Sequence, residues 1–186
     1  MKRLLYLLTA IVLTLSLVVP LAACQTDLMT DGGDTRTLVG TVSICDNVSE
    51  NILWVCYDLS DSWSAGDNWT LEEAHLHVAA DPEDVPQKNG NPRPGKFENK
   101  KYYDPVDENI TDCFTVPLPA GVLAGDNVSI ALHLGITRNI GTQAEPVWED
   151  ETAWIVGDNF TGKNWAMYYV YEVGSLDCYD VFLAAP

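Results

Sequence analysis

The chain has 186 residues, of which 27 are acidic and 10 are lysine or arginine, so its formal net charge at pH 7 is −17. Such an acidic surface repels phosphate groups, which excludes nucleic acid and an anionic membrane surface as main partners. Hydrophobic residues make up 47% of the chain, and this length suits one domain with its own core.

The amino terminus predicts a cleaved signal peptide over residues 1–23. Lys2 and Arg3 form a basic head, residues 4–19 are apolar, and Leu21-Ala22-Ala23-Cys24 resembles the lipobox of bacterial lipoproteins. A membrane-spanning helix needs about 20 apolar residues, which is more than this run supplies. We therefore expect Cys24 to carry a lipid that anchors the protein in the cell membrane or outer membrane, facing the extracytoplasmic space.

The segment that follows the signal is polar and then gives way to strand-like runs. Residues 24–37 contain glycine and show no period, which predicts a flexible tether and places the domain at 38–186. Short runs rich in Val, Ile, Tyr and Trp then alternate with Gly, Asn, Asp and Pro clusters. They predict an all-β fold, an antiparallel β-sandwich of about eight strands, at 38–45, 51–59, 69–79, 111–118, 126–137, 147–156, 165–173 and 178–184.

Two of these runs alternate clearly enough to orient their side chains. In 126–137 every second residue from Val128 to Ile136 is apolar, which places His133 on the opposite face. In 69–79 the side chains of Glu73, His75 and His77 share one face, opposite Ala74, Leu76 and Val78. All three histidines of the chain therefore point away from the predicted core.

This arrangement suggests a metal site. His75 and His77 share a strand face, and His133 with Glu73 or Glu151 completes three or four ligands of the kind that hold zinc, copper or iron. A divalent metal ion is therefore a candidate cofactor, provided that the two strands are neighbours. The alternative is that the histidines bond to backbone groups or carboxylates at a sheet surface.

Residues 81–110 predict a long loop with half of the ten prolines of the chain. The loop also concentrates basic and aromatic side chains, which suit an anionic ligand, a glycan or a partner protein. The candidate ligand-binding residues are Lys88, Arg93, Lys96, Phe97, Lys100, Lys101 and Tyr102. The alternative is an irregular loop that folds across the sandwich and offsets the negative charge of its acidic residues.

Four cysteines remain when Cys24 is set aside. An even number in an exported chain favours two disulfides, with three connectivities open, among Cys45, Cys56, Cys113 and Cys178. Free buried thiols are the alternative.

Four segments resemble a known family. They are His75-Leu76-His77-Val78, the run 89–97 (NGNPRPGKF), Glu151-Thr152-Ala153-Trp154 and the run 164–169 (NWAMYY). They are similar to the H-L-H-V, G-N-P-x-P-G-x-F, E-T-A-W and N-W-A-x-Y motifs of a domain found in exported microbial surface proteins, most of them uncharacterised. The likeness runs from about Leu38 to Glu172 and implies an extracytoplasmic β domain, with no activity to carry over.

The chain shows no catalytic motif of a serine hydrolase, zinc protease or phosphate-binding loop. We therefore favour a lipid-anchored surface protein whose β-sandwich is a binding or adhesion module for an unidentified protein, glycan or small anion. A metal-dependent enzyme centred on the three histidines is the first alternative. A structural component of the cell envelope is the second.

Overall fold

The computed structural model describes residues 24–31, 36–59, 69–104, 111–142 and 144–175. Strands account for 61% of these residues, and there is no α-helix among them, so the predicted all-β antiparallel fold is confirmed. Within the same residues, no helix has the length and apolar character needed to cross a membrane.

The described chain forms twelve strands and three short 3₁₀ helices. The 3₁₀ helices are Val48–Glu50, Pro82–Asp84 and Pro94–Lys96. The strands are β1 (Cys24–Asp31), β2 (Arg36–Asn47), β3 (Ile52–Asp58), β4 (Thr70–Ala79), β5 (Gln87–Lys88), β6 (Asn91–Pro92), β7 (Asn99–Tyr102), β8 (Thr111–Pro117), β9 (Asn127–Asn139), β10 (Trp148–Ile155), β11 (Asp158–Asn159) and β12 (Met167–Glu172).

Ten of these strands belong to one antiparallel sheet. Its strands follow the order β7, β4, β9, β10, β1, β2, β3 and β8, while β12 pairs with the first part of β9 and carries β11 on its other side. The sheet is nearly closed. The edge strands β7 and β8 meet through side chains, because Lys101 of β7 donates to Asp112 of β8 at 2.7 Å. The layers of the predicted sandwich are thus opposite sides of one curved sheet.

Seven of the eight predicted strand runs are confirmed as β2, β3, β4, β8, β9, β10 and β12. The eighth, at 178–184, lies outside the described residues. The predicted alternation is also confirmed, because Val128, Ile130, Leu132, Leu134 and Ile136 of β9 are each at most 1% exposed and pack in the interior core.

A tether over all of 24–37 is wrong, because residues 24–31 form a strand. β1 pairs with β2 on one side and with β10 on the other, and Leu28 is fully buried opposite Gly40. The polar composition of this segment does not predict a strand. A central strand is stabilised by pairing on both sides, so it does not require apolar residues throughout. The folded domain therefore includes Cys24–Asp31 and does not start at Leu38.

The segment predicted as a long loop is largely folded in its described part, 81–104. It contains β5 and β6, which form a small separate hairpin, and β7, which extends the main sheet beside β4. Val85 and Phe97 of this segment are at most 2% exposed and pack with Trp154 and Phe160 on the outer face of the sheet. A second, smaller core therefore covers the outer face at β4, β9 and β10.

Two of the predicted disulfide cysteines are bonded to each other. Cys56 of β3 and Cys113 of β8 face each other across the strand pair and form a disulfide. Cys45 is disulfide-bonded as well, whereas Cys178 lies outside the described residues. Cys24 is a free, half-buried thiol whose Sγ lies 2.8 Å from the hydroxyl oxygen of Tyr169.

Candidate metal centre

A β-bulge in β4 sets the direction of the side chains that form the site. Leu71 pairs with Ile136 of β9, but Glu73 pairs with the very next residue, Gly135, so Glu72 is an extra residue in the strand. A bulge reverses the alternation of the strand at that point. Leu71 therefore faces the interior, while Glu73 and His75 face the outer side.

The register of the outer face brings the two histidines together. His75 of β4 lies directly opposite His133 of β9, and His133 in turn lies opposite Trp154 of β10. On its other side, His75 lies opposite Lys100 of β7. One row across four strands therefore reads lysine, histidine, histidine and tryptophan, with both imidazoles at its centre.

Glu73 completes a group of three potential ligands with these histidines. One ligand atom from each of Glu73, His75 and His133 lies within 4.8 Å of the other two. The Nε2 atom of His75 is 3.4 Å from Oε2 of Glu73, close to the roughly 3.3 Å that separates neighbouring ligands around a tetrahedral zinc ion. The two imidazole rings are stacked with their centroids 5.8 Å apart.

Gly135 makes the position of the Glu73 side chain possible. A Cβ atom at Gly135 would lie 2.8 Å from Cγ of Glu73, closer than real contacts of this kind. The carboxylate therefore folds over a residue that has no side chain, which directs it toward the two imidazoles. A glycine inside a strand often marks such a close approach.

The surroundings leave both imidazoles neutral and their nitrogens largely unpaired. His75 is 5% exposed and His133 is 8% exposed, and both nitrogens of His75 and Nδ1 of His133 are buried without a hydrogen-bond partner among the described residues. Burial, assisted by the neighbouring His75, lowers the pKa of His133 to about 4. Burial also lowers the pKa of His75, against the opposing charge of Glu73. Neutral imidazole is the form that binds metal ions.

Two of the predicted metal ligands do not join this group. His77 shares the outer face but lies opposite Ala131, and its ring packs against Phe97 with the centroids 5.9 Å apart. Glu151 lies opposite Ile136 and therefore shares the interior face of the sheet. Successive residues of a strand point to opposite faces, so the interior register of Glu151 separates it from His133.

The predicted ligand-binding residues of the 81–104 segment have separate roles. Phe97 is buried in the outer core, and Lys101 is committed to Asp112 and to the carbonyl oxygen of Cys113. Neither is therefore free to hold a ligand. Tyr102 is 70% exposed, and its ring meets His75 edge-on with the centroids 6.1 Å apart. The side chains of this set that are exposed are Lys88, Arg93, Lys96, Lys100 and Tyr102.

The four segments that carry the family resemblance converge around this site. His75 and His77, Phe97, Trp154 and Met167 each come from a different one of them. Phe97, Trp154 and Met167 belong to the same outer core, and Trp154 contacts His133 with the ring centroids 4.9 Å apart. The segments are far apart in sequence, so their convergence is a property of the fold.

Comparisons with known proteins return no match. No family model, no curated protein and no solved structure matches the chain. The resemblance to surface-protein domains therefore stays a prediction, and the functional argument depends on the site itself.

The chemistry of the group fits a borderline transition-metal ion. Two imidazole nitrogens and one carboxylate oxygen are a common protein ligand set for zinc, copper and non-haem iron. A calcium ion instead takes six to eight oxygen ligands. The sequence pattern identified Glu73, His75 and His133 as candidate ligands but missed the role of Gly135. The only sign of that role in the sequence is the position of a glycine in the middle of an apolar strand.

Proposed function

We propose that this protein binds one divalent transition-metal ion through Glu73, His75 and His133. The observation that carries the proposal is a carboxylate and two imidazoles, from adjacent strands, within reach of one ion. Burying imidazole nitrogens without partners costs free energy. A bound ion would supply the missing partner for both rings.

We propose the extracytoplasmic space as the place where the ion is bound. The support is the predicted signal peptide with its lipid-attachment residue Cys24, together with the disulfide between Cys56 and Cys113. Disulfides persist mainly in oxidising compartments. The protein would thus be a lipid-anchored metal-binding protein. The 81–104 segment borders the metal site through β7, so a binding role for this segment is part of the same proposal.

Metal titration of the purified, chelator-treated protein tests the proposal. We expect isothermal titration calorimetry with Zn²⁺ or Cu²⁺ to show one ion per chain. His75 and Glu73 each have a matched control, because His77 lies on the same strand face as His75 and Glu151 is a carboxylate on the other face. We expect His75→Gln and Glu73→Gln to weaken binding, with a loss for the histidine that exceeds about 100-fold, since outer-sphere partners alone contribute 10- to 100-fold.

His77→Gln and Glu151→Gln should leave the affinity within about twofold of the wild type, because neither side chain belongs to the group. If His75→Gln and His77→Gln, or Glu73→Gln and Glu151→Gln, lose the same amount of affinity, the assignment of ligands is wrong. Absence of ion binding by the wild-type protein would overturn the proposal.

A second pair of variants tests the position of Glu73. Gly135→Ala should weaken ion binding by about tenfold, because its new methyl group displaces the Glu73 side chain. Gly95→Ala is the control, since a Cβ atom there has no neighbour within 4 Å. If the two variants bind the ion equally well and circular dichroism shows both to be folded, Glu73 is not a ligand in the position that Gly135 allows it.

A further inference from the structure

We infer that the ion at Glu73, His75 and His133 binds a small anion as an additional ligand, on the side of the site that faces β7. This inference rests on the metal site proposed above and names what that site takes up. Transition-metal ions of this class hold four or more ligands. The described residues supply only three within reach of one another.

The site is closed on the sides that face the outer core. The indole of Trp154, 5% exposed, covers His133 on the side of β10. Phe97, 2% exposed, packs against Trp154 with the centroids 6.3 Å apart and so closes the side toward His77. An additional ligand cannot enter from these directions without displacing buried aromatic rings.

The site is open toward β7. The side chain of Glu73 is 37% exposed, and Tyr102, which lies opposite Glu73 in the β4–β7 register, is 70% exposed. Lys100 lies opposite His75 in the same register and is exposed to solvent. A ligand that approaches the ion from solvent therefore passes between Lys100 and Tyr102.

The charges at this opening favour an anion. One carboxylate and two neutral imidazoles leave a divalent ion with one net positive charge. The ammonium group of Lys100 adds a second charge, because it donates to the carbonyl oxygen of Gly95 at 2.8 Å and forms no ion pair within the described part of the chain. The site is thus locally cationic in a protein whose net charge is −17. Carboxylates and other small monoanions match this charge.

Azide and acetate serve as probes of the open position in the Cu²⁺-loaded protein. We expect azide to produce a saturable ligand-to-metal charge-transfer absorption and acetate to compete with it. Lys100→Met should weaken azide binding by up to about fivefold, the range for an exposed charge pair. It should not weaken Cu²⁺ binding, because the removal of a neighbouring positive charge favours a bound cation. Lys88→Met is the matched control, because Lys88 is an exposed lysine on β5, which belongs to the separate β5–β6 hairpin and not to the sheet that carries the site.

The outcomes separate this inference from the metal site itself. Cu²⁺ binding without an azide absorption overturns the open position and leaves the metal site intact. Equal azide affinities in Lys100→Met and Lys88→Met overturn the role of Lys100. Failure of the wild-type protein to bind Cu²⁺ overturns both proposals.

Discussion

At the scale of single residues, two buried histidines lie side by side with little to stabilise them in the protein itself. His75 and His133 stack, and His133 contacts Trp154, but three of their nitrogens have no hydrogen-bond partner among the described residues. Side chains that are held in this way at a cost in stability are typical of functional sites. The cost should be measurable when no ion is bound.

The first prediction concerns the pH dependence of stability in the chelator-treated protein. The pKa of His133 is about 4 in the folded chain, against 6.5 for an ordinary histidine. The unfolded chain therefore binds more protons between these values, and the free energy of unfolding falls as the pH falls from about 6.5 toward 4. For this residue alone the loss reaches about 3 kcal/mol.

Urea denaturation at several pH values, with wild-type protein and the His133→Leu variant, measures this loss. Leucine has a similar size and does not titrate, so the variant should lose less stability on acidification than the wild type does. Parallel pH profiles of the two proteins would show that His133 does not titrate as its burial requires.

At the scale of elements, β1 joins the two halves of the sheet. It lies between β2 and β10, and the backbone nitrogen of Val156, just beyond β10, donates to the carbonyl oxygen of Asp27 in β1 at 2.8 Å. Since β10 is also the neighbour of β9, β1 helps to hold the strand that carries Trp154 beside the metal site.

The second prediction is that Leu28→Ala destabilises the protein by about 2 to 5 kcal/mol, the usual cost of truncating a fully buried leucine. Gln25→Ala is the control on the same strand, because Gln25 is exposed. Chemical denaturation of the two variants gives the comparison. Equal stabilities would mean that this segment behaves as the tether its composition suggests.

At the scale of the whole molecule, the predicted anchor would lie directly against the folded domain. Cys24 is the first residue of β1 and lies opposite Ile44, a fully buried core residue of β2. The side chain of Cys24 also contacts the hydroxyl group of Tyr169, and this contact, together with burial, raises the pKa of Tyr169 to about 12. A lipid on Sγ would replace this contact, so the end of the sheet at Cys24 would face the membrane at short range.

The third prediction is that Cys24→Ser abolishes lipid attachment and either releases the protein from membranes or leaves its signal peptide uncleaved. Two or more acyl chains are needed for stable anchoring, and a serine cannot form the thioether that carries them. Membrane fractionation and mass determination of the mature chain provide the readout. A cleaved variant that stays in the membrane fraction like the wild type would refute the lipoprotein prediction.

The sequence by itself determined the fold class, seven strands and the faces of two of them. Period-two alternation from Val128 to Ile136 is a local signal, because each side chain reports its own environment. The same signal placed Glu73, His75 and His133 away from the interior core. An even number of cysteines also predicted disulfide formation, which the bond between Cys56 and Cys113 confirms.

Only the tertiary structure decided which of the candidate ligands meet. The neighbouring position of β4 and β9, and the register that sets His75 opposite His133, depend on long-range pairing that no local pattern encodes. The same pairing excludes Glu151, which lies on the interior face, and pairs His77 with Ala131. The strand at Cys24–Asp31 was also missed, because its composition is mostly polar and its pairing with β2 and β10 is long-range.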